Sequence, residues 1–142
     1  MTIPVAAAII FLEGKILIAK RAPHKHLAGL WEFPGGKIES HETPEMCIRR
    51  ELKEELNIQV TIKDYLADNE YDFGTFKIQL KAYICLYKAG NPALTDHDEI
   101  RWVNIDQLSS FDLAPADIPL VQKLVNYAAK HKQLMPPIQA GL

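Results

Sequence analysis

The stretch GGKIESHETPEMCIRRELKEELNI, residues 35–58, holds a glycine pair, a well-marked helix and a run of glutamates. Thr43 suits the N-cap, Pro44 the first helical position, and Glu45 faces the positive end of the helix dipole, so a helix is predicted from there to Leu56. Asn57 follows, where the chain must turn left-handed, a conformation Asn tolerates. At 3.6 residues per turn, Ile48, Leu52 and Leu56 form an apolar stripe, and Glu51, Glu54 and Glu55 fall within an arc of about 100° beside it. Like charges about 4 Å apart repel by roughly 4 kcal/mol at an effective dielectric near 20, a cost that a bound dication reverses. Oxygen donors with no His or Cys among them suit a hard ion, Mg²⁺ with Mn²⁺ as substitute. Taken alone, the same glutamates also read as a solvated face paired with Arg49, Arg50 and Lys53.

Before this stretch, apolar runs over residues 3–12 and 15–21 flank Glu13-Gly14 and predict a β-hairpin. A loop over 22–30, a short extended Trp31-Glu32-Phe33 and a Pro34-Gly35-Gly36 turn lead into the helix. After it, alternation at Ile58, Val60 and Ile62 predicts one strand, and alternation from Phe76 to Leu86 another, with Asp72–Thr75 as the turn between strand regions. A polar loop over 88–99 and a short strand at Ile100–Val103 follow. Ile118, Val121, Leu124, Val125 and Ala128 mark the apolar face of a last helix, with Asp117 at its N-cap. The fold class is therefore α/β (α+β), with helices on a largely antiparallel or mixed sheet. Residues 1–132 form one domain and 133–142, with two prolines and no periodicity, a loose tail.

Composition narrows the function. The chain has 142 residues, 48% apolar and 24% charged, enough for one core and unlike a disordered segment. A net charge of −2 supplies no field to hold a nucleic-acid polymer. The run from Ile3 to Leu12 is too short for a membrane-spanning helix, which needs about 20 residues, and it lacks a leader's basic start. Cys47 and Cys85 lack metal-ligand spacing and read as buried free thiols, in keeping with a cytoplasmic protein. The five histidines form no ligand cluster, and exposed or capping roles are expected for each.

Gly36, five residues, Glu42, seven residues, then Arg50-Glu51-Leu52-Lys53-Glu54-Glu55-Leu56-Asn57-Ile58 closely resembles the Nudix box, Gly-x5-Glu-x7-Arg-Glu-U-x-Glu-Glu-x-Gly-U with U aliphatic. Only the last glycine differs, replaced by Asn57. Trp31 to Glu39, Lys20-Arg21 and Leu113 to Pro119 look like the MutT-type branch, particularly its CTP pyrophosphohydrolase members. The resemblance spans residues 3 to 125 and implies an α/β/α sandwich around a mixed sheet and hydrolysis of a nucleoside diphosphate linked to another group.

Carried over by position, Glu51, Glu54, Glu55 and the Gly35 carbonyl match metal ligands, and Arg50 matches the arginine that orients a neighbouring glutamate. Asp96 matches a further metal carboxylate by its distance from Trp102, with Glu99 as the fallback. Glu54 is the first choice for general base, although spacing alone does not separate it from Glu51 and Glu55. Arg21 and Lys37 are candidates for phosphate or sugar, Phe33 for stacking a base, and Asp117 for reading it. An ionised Asp117 only accepts hydrogen bonds and favours an exocyclic amino group such as cytosine's; 8-oxoguanine would require it protonated in a dry pocket. The implied reaction is Mg²⁺-dependent cleavage of a nucleoside triphosphate to monophosphate and pyrophosphate, on cytosine nucleotides or oxidised ones such as 8-oxo-dGTP. ADP-ribose or a dinucleoside polyphosphate is the alternative substrate, and a nucleotide-sensing module without turnover the alternative class. The partner is a small nucleotide, and the chain a monomer or homodimer.

Overall fold

The hairpin, β1 (Thr2–Leu12) and β2 (Lys15–Arg21), starts a seven-stranded mixed sheet in the computed structural model, which describes residues 1–135. β1 and β2 pair only beside their turn, Phe11 with Ile16 and Leu12 with Lys15, and then diverge. β3 (Trp31–Glu32) pairs with the free part of β2, and β4 (Gly35–Lys37) with the free part of β1. The intervening Pro34 carbonyl accepts from Ala8 N–H at 2.7 Å. Gly35 and Gly36 are therefore strand rather than turn. Close approach selects them: a Cβ on Gly35 would lie 1.9 Å from the Ala6 carbonyl oxygen, and one on Gly36 2.4 Å from the Glu51 carboxyl carbon.

The box helix α1 (Pro44–Leu56) is capped as its sequence predicts: Thr43 Oγ1 accepts from Met46 N–H at 3.1 Å, and Asn57 sits at φ 55°, ψ 40°. Beyond it, β5 (Ile58–Asp72) and β6 (Lys77–Gly90) make a hairpin much longer than the alternating residues suggested. Three register shifts keep them paired while breaking the period in β5, at Gln59/Val60, Ile62/Asp64 and Tyr65/Ala67. β6 lies parallel to β1 from Thr2–Lys77 to Phe11–Leu86. β7 (His97–Val103) pairs with β2 and starts three residues before the predicted Ile100, so His97 to Glu99 belong to the sheet and not to the loop.

Two apolar layers cover the sheet. Cys47, Ile48, Leu52 and Leu56 of α1 bury against Ala6, Ala8, Ile10 and Leu17. On the opposite face Leu120 and Leu124 of α2 (Ile118–Lys130) meet Ile9, Ile18, Leu80 and Ile84. The sandwich has the layers expected. The buried stripe of α2 is Leu120, Leu124 and Ala128, however, while Ile118 and Val125 are 56% and 39% exposed. Both cysteines are buried and free, and burial pushes each thiol up to about 12. Leu134 and Met135, assigned above to the tail, pack against the α2-side core; the rest of that tail, 136–142, lies outside the described residues. No helix among the described residues is long and apolar enough to cross a membrane.

Candidate active site

The divergence of β1 from β2 opens a cavity of about 620 Å³ lined by β1, β3, β4, α1 and the loops before β7 and α2. Every proposed site residue except Arg50 lines it: Gly35, Glu51, Glu54, Glu55 and Asp96, with Arg21, Phe33, Lys37 and Asp117. Arg50 stands behind this wall and organises it. Its Nε and Nη2 grip both oxygens of Glu42 at 3.1 and 2.6 Å, Nη1 reaches Glu51 at 2.8 Å and Glu54 at 3.4 Å, and Nη2 also meets the Lys37 carbonyl at 3.1 Å. The Arg50 guanidinium and the Glu39 N–H hold Glu42 down at about 2, and the carboxylates push Arg50 up. Box residues ten or more positions apart are thereby tied into one body.

The solvated-face reading holds for Glu51 and Glu54, which pair with Arg50, and not for Glu55. Lys53 bonds Asn57, and Arg50 does not neutralise Glu55. Burial, then Glu51, Glu32 and Asp96, push Glu55 up to about 9. No three His, Cys, Asp or Glu side chains among the described residues already stand close enough to share an ion. The donor set nonetheless fits a hard dication, because Glu51, Glu54, Glu55 and Asp96 line one cavity with carboxylate oxygens, and Glu51 and Asp96 already act on the partly buried Glu55. Asp96 faces Lys25 Nζ at 3.8 Å, whereas Glu99 bonds Arg101 and does not line the cavity.

Away from the acids the wall turns apolar, with Leu80, Ala114 and Ala116 around Asp117. Asp117 stands at the N-cap position but makes no cap bond; its Oδ2 accepts the Phe33 N–H at 2.8 Å. It is 6% exposed, and burial, reinforced by Glu32, raises it to about 8. The ring of Phe33 is 3% exposed and part of the α2-side core, so it forms floor more than an open stacking face. Arg21 is steered by Glu32, Nη1 to Oε1 at 2.7 Å, and by the His26 carbonyl.

Two residues that line the cavity escaped the sequence reading. Glu32 was read only as part of a short extended piece, and His97 as exposed or capping; His97 is instead buried between Glu32 and Glu55. Phe73, predicted in a turn, lines the cavity and stacks on Phe76 with centroids 5.1 Å apart.

A family model described as NUDIX domain matches residues 5–123. The chain belongs to the Nudix hydrolase family. It is 39% identical over 120 residues to the CTP pyrophosphohydrolase of Escherichia coli K12, covering 84% of this chain and 89% of that one. It is 36% identical over 121 residues to the 8-oxo-dGTP diphosphatase of the same organism, covering 84% and 94%. The solution structure of the E. coli ORF135 protein superposes with a TM-score of 0.81 at 36% identity, over 91% of this chain and 92% of that one. As a Nudix hydrolase, the chain carries the box fully formed apart from Asn57, which adopts the backbone conformation a glycine would.

Proposed function

We propose that this Nudix hydrolase cleaves a (deoxy)nucleoside 5′-triphosphate to the monophosphate and pyrophosphate, taking cytosine nucleotides or oxidised ones such as 8-oxo-dGTP, in the cytoplasm. The observation that carries this reading is one cavity joining two unlike surfaces: carboxylates crowded on α1, and a dry wall ending in Asp117. A nucleotide has the same division, a polyanion at one end and a flat base at the other. Glu51, Glu54, Glu55, Asp96 and the Gly35 carbonyl would hold Mg²⁺, with Mn²⁺ as substitute. The ion supplies charge neutralisation and an acidified water for displacement at phosphorus.

The chain's own groups do the rest. Arg21, Lys25 and Lys37 line the cavity and offset the phosphates' negative charge. Glu51 is held at 2.8 Å by Arg50 and Glu55 is partly buried, whereas Glu54 is 61% exposed and meets Arg50 only at 3.4 Å. Glu54 is thus the glutamate best able to turn and take a proton from water. A raised Asp117 is protonated at neutral pH, so it donates as well as accepts. The preference for cytosine drawn from an ionised aspartate then stands beside a second option, since the protonated acid suits the O6 of 8-oxoguanine as well. Retention of every box glutamate argues against a module without turnover, and the similar relatives named above argue against ADP-ribose and dinucleoside polyphosphates.

The test is a panel of normal and damaged nucleotides with Mg²⁺, with products resolved. The reading expects monophosphate and pyrophosphate in equal amounts from CTP, dCTP or 8-oxo-dGTP; release of orthophosphate, or turnover of ADP-ribose alone, overturns it.

A further inference from the structure

The His97 side chain is 3% exposed and its ring has a carboxylate on each side. Nε2 lies 2.9 Å from Glu32 Oε2, a hydrogen bond. Nδ1 is buried without a hydrogen-bond partner, and Glu55 Oε2 stands 3.8 Å away, beyond bonding distance. A buried polar atom left unpaired costs about 1–3 kcal/mol, so its persistence calls for a state in which it is satisfied. The Glu55 carboxylate is the nearby group that can satisfy it, by closing less than about 1 Å to reach bonding range.

The sheet explains why the imidazole sits there. His97 pairs directly with Arg21 across β2 and β7, and Glu32 pairs with Ala19 on the other edge of β2, which places Arg21, Glu32 and His97 on one face. Ala19 is small and fully buried, and leaves Glu32 room to reach across β2. The result is a continuous chain: Arg21 to Glu32 at 2.7 Å, Glu32 to His97 at 2.9 Å, His97 toward Glu55. It runs from a candidate phosphate-binding cation to a candidate metal-binding carboxylate.

We propose that His97 is a positioning residue that locks the Glu55 carboxylate for the divalent ion and links its placement to Arg21 through Glu32. This rests on the reading of Glu55 as a metal ligand. Carboxylates that bind metal are held by outer hydrogen bonds, and loss of such a partner commonly weakens the metal by about 10–100-fold. A carboxylate only accepts, so bonding both neighbours takes a hydrogen on each ring nitrogen; a neutral ring donates to one and turns the lone pair of its other nitrogen toward the second.

The test compares His97→Asn, His97→Gln and His97→Leu in the full chain. The Asn amide stands near the place of Nδ1 and the Gln amide near that of Nε2. The readouts are Mn²⁺ affinity without nucleotide, followed by electron paramagnetic resonance, and kcat and KM with Mg²⁺. His97→Asn is expected to keep Mn²⁺ affinity within about 3-fold, while His97→Gln and His97→Leu lose about 10-fold or more and lower kcat more than KM. Equal losses in all three folded variants indicate a merely structural histidine and overturn the proposal, as does wild-type Mn²⁺ affinity in Gln and Leu. Wild-type enzyme that binds no Mn²⁺ would instead sink the metal-site reading itself. If the His97 variants do not fold, Glu32→Gln decides: it disturbs the anchor without emptying the position. Weakened Mn²⁺ binding there supports the chain of contacts, and unchanged binding refutes it.

Discussion

Asp117 and Glu55 are both acids displaced upward, yet for different reasons and with different consequences. Asp117 is raised to about 8 chiefly by burial, so the folded chain binds its proton more tightly than the unfolded chain, where the ordinary value is 3.8. Its contribution to stability is complete below about pH 3.8 and declines as pH rises through about 8. Asp117→Asn has no proton to lose and its amide oxygen can still accept from Phe33. The variant should therefore be the more stable protein at pH 8, by on the order of a few kcal/mol, with the gap closing toward pH 4. Urea unfolding across that range checks this; parallel profiles would show that Asp117 is not the titrating group. The same variant should change the ratio of kcat/KM between dCTP and 8-oxo-dGTP, whereas an equal loss on both would reduce Asp117 to a structural role. Glu54→Gln and Glu55→Gln touch the other half of the cavity. Each should cut turnover by about 100-fold or more with the unfolding transition preserved, measured as steady-state kcat beside circular dichroism.

At the scale of elements, α1 was legible because its signals are local: cap, proline, dipole-facing glutamate, apolar stripe and left-handed Asn57 act within one or two turns. The sheet was legible in part. β5 hid most of its length because its three register shifts break the period of two that sequence reading depends on. β4 was read as a turn because two adjacent glycines signal one. Their actual reason, backbone against Ala6 and side chain against Glu51, exists only once β1 and α1 are in place. The two glycines therefore separate by experiment. Gly36→Ala meets the flexible end of Glu51, which can swing aside, so hydrolysis should fall by about 100-fold with stability lowered by only about 1 kcal/mol. Gly35→Ala meets backbone that cannot move without parting β4 from β1, and should lose about 3 kcal/mol or more. Chemical denaturation alongside activity assays distinguishes them; similar stability losses would contradict the assignment of Glu51 as the yielding neighbour.

Across the whole molecule, Glu51, Glu54 and Glu55 come from one helical turn of α1, but the cavity facing them is assembled from β3, β7 and the loop before α2, whose register no local pattern encodes. Glu32 and His97 are 65 residues apart and meet only because both strands flank β2. Phe33 and Asp117 are 84 apart and meet only because α2 lies beyond β3. The fold thus uses its packing to bring acids together, and ion binding should report their mutual repulsion. Burial, then Glu51, Glu32 and Asp96, push the Glu55 carboxyl well above its ordinary range, so the metal-free carboxylate cluster is expected to hold a proton at pH 7. A dication must displace it, so metal binding should release about one proton at pH 7 and tighten as pH rises toward 9. An ion that binds the folded chain and not the unfolded one should also raise the unfolding midpoint, by the equivalent of about 2.7 kcal/mol at a concentration 100 times its dissociation constant. Calorimetric Mg²⁺ titrations in buffers of different ionisation enthalpy count the proton, and melting curves with and without chelator measure the stabilisation. In Glu55→Gln both signals should shrink together, since one carboxylate holds the proton and the metal in turn. If the variant still releases a proton on binding Mg²⁺, the raised acid at the centre of this site is some other residue.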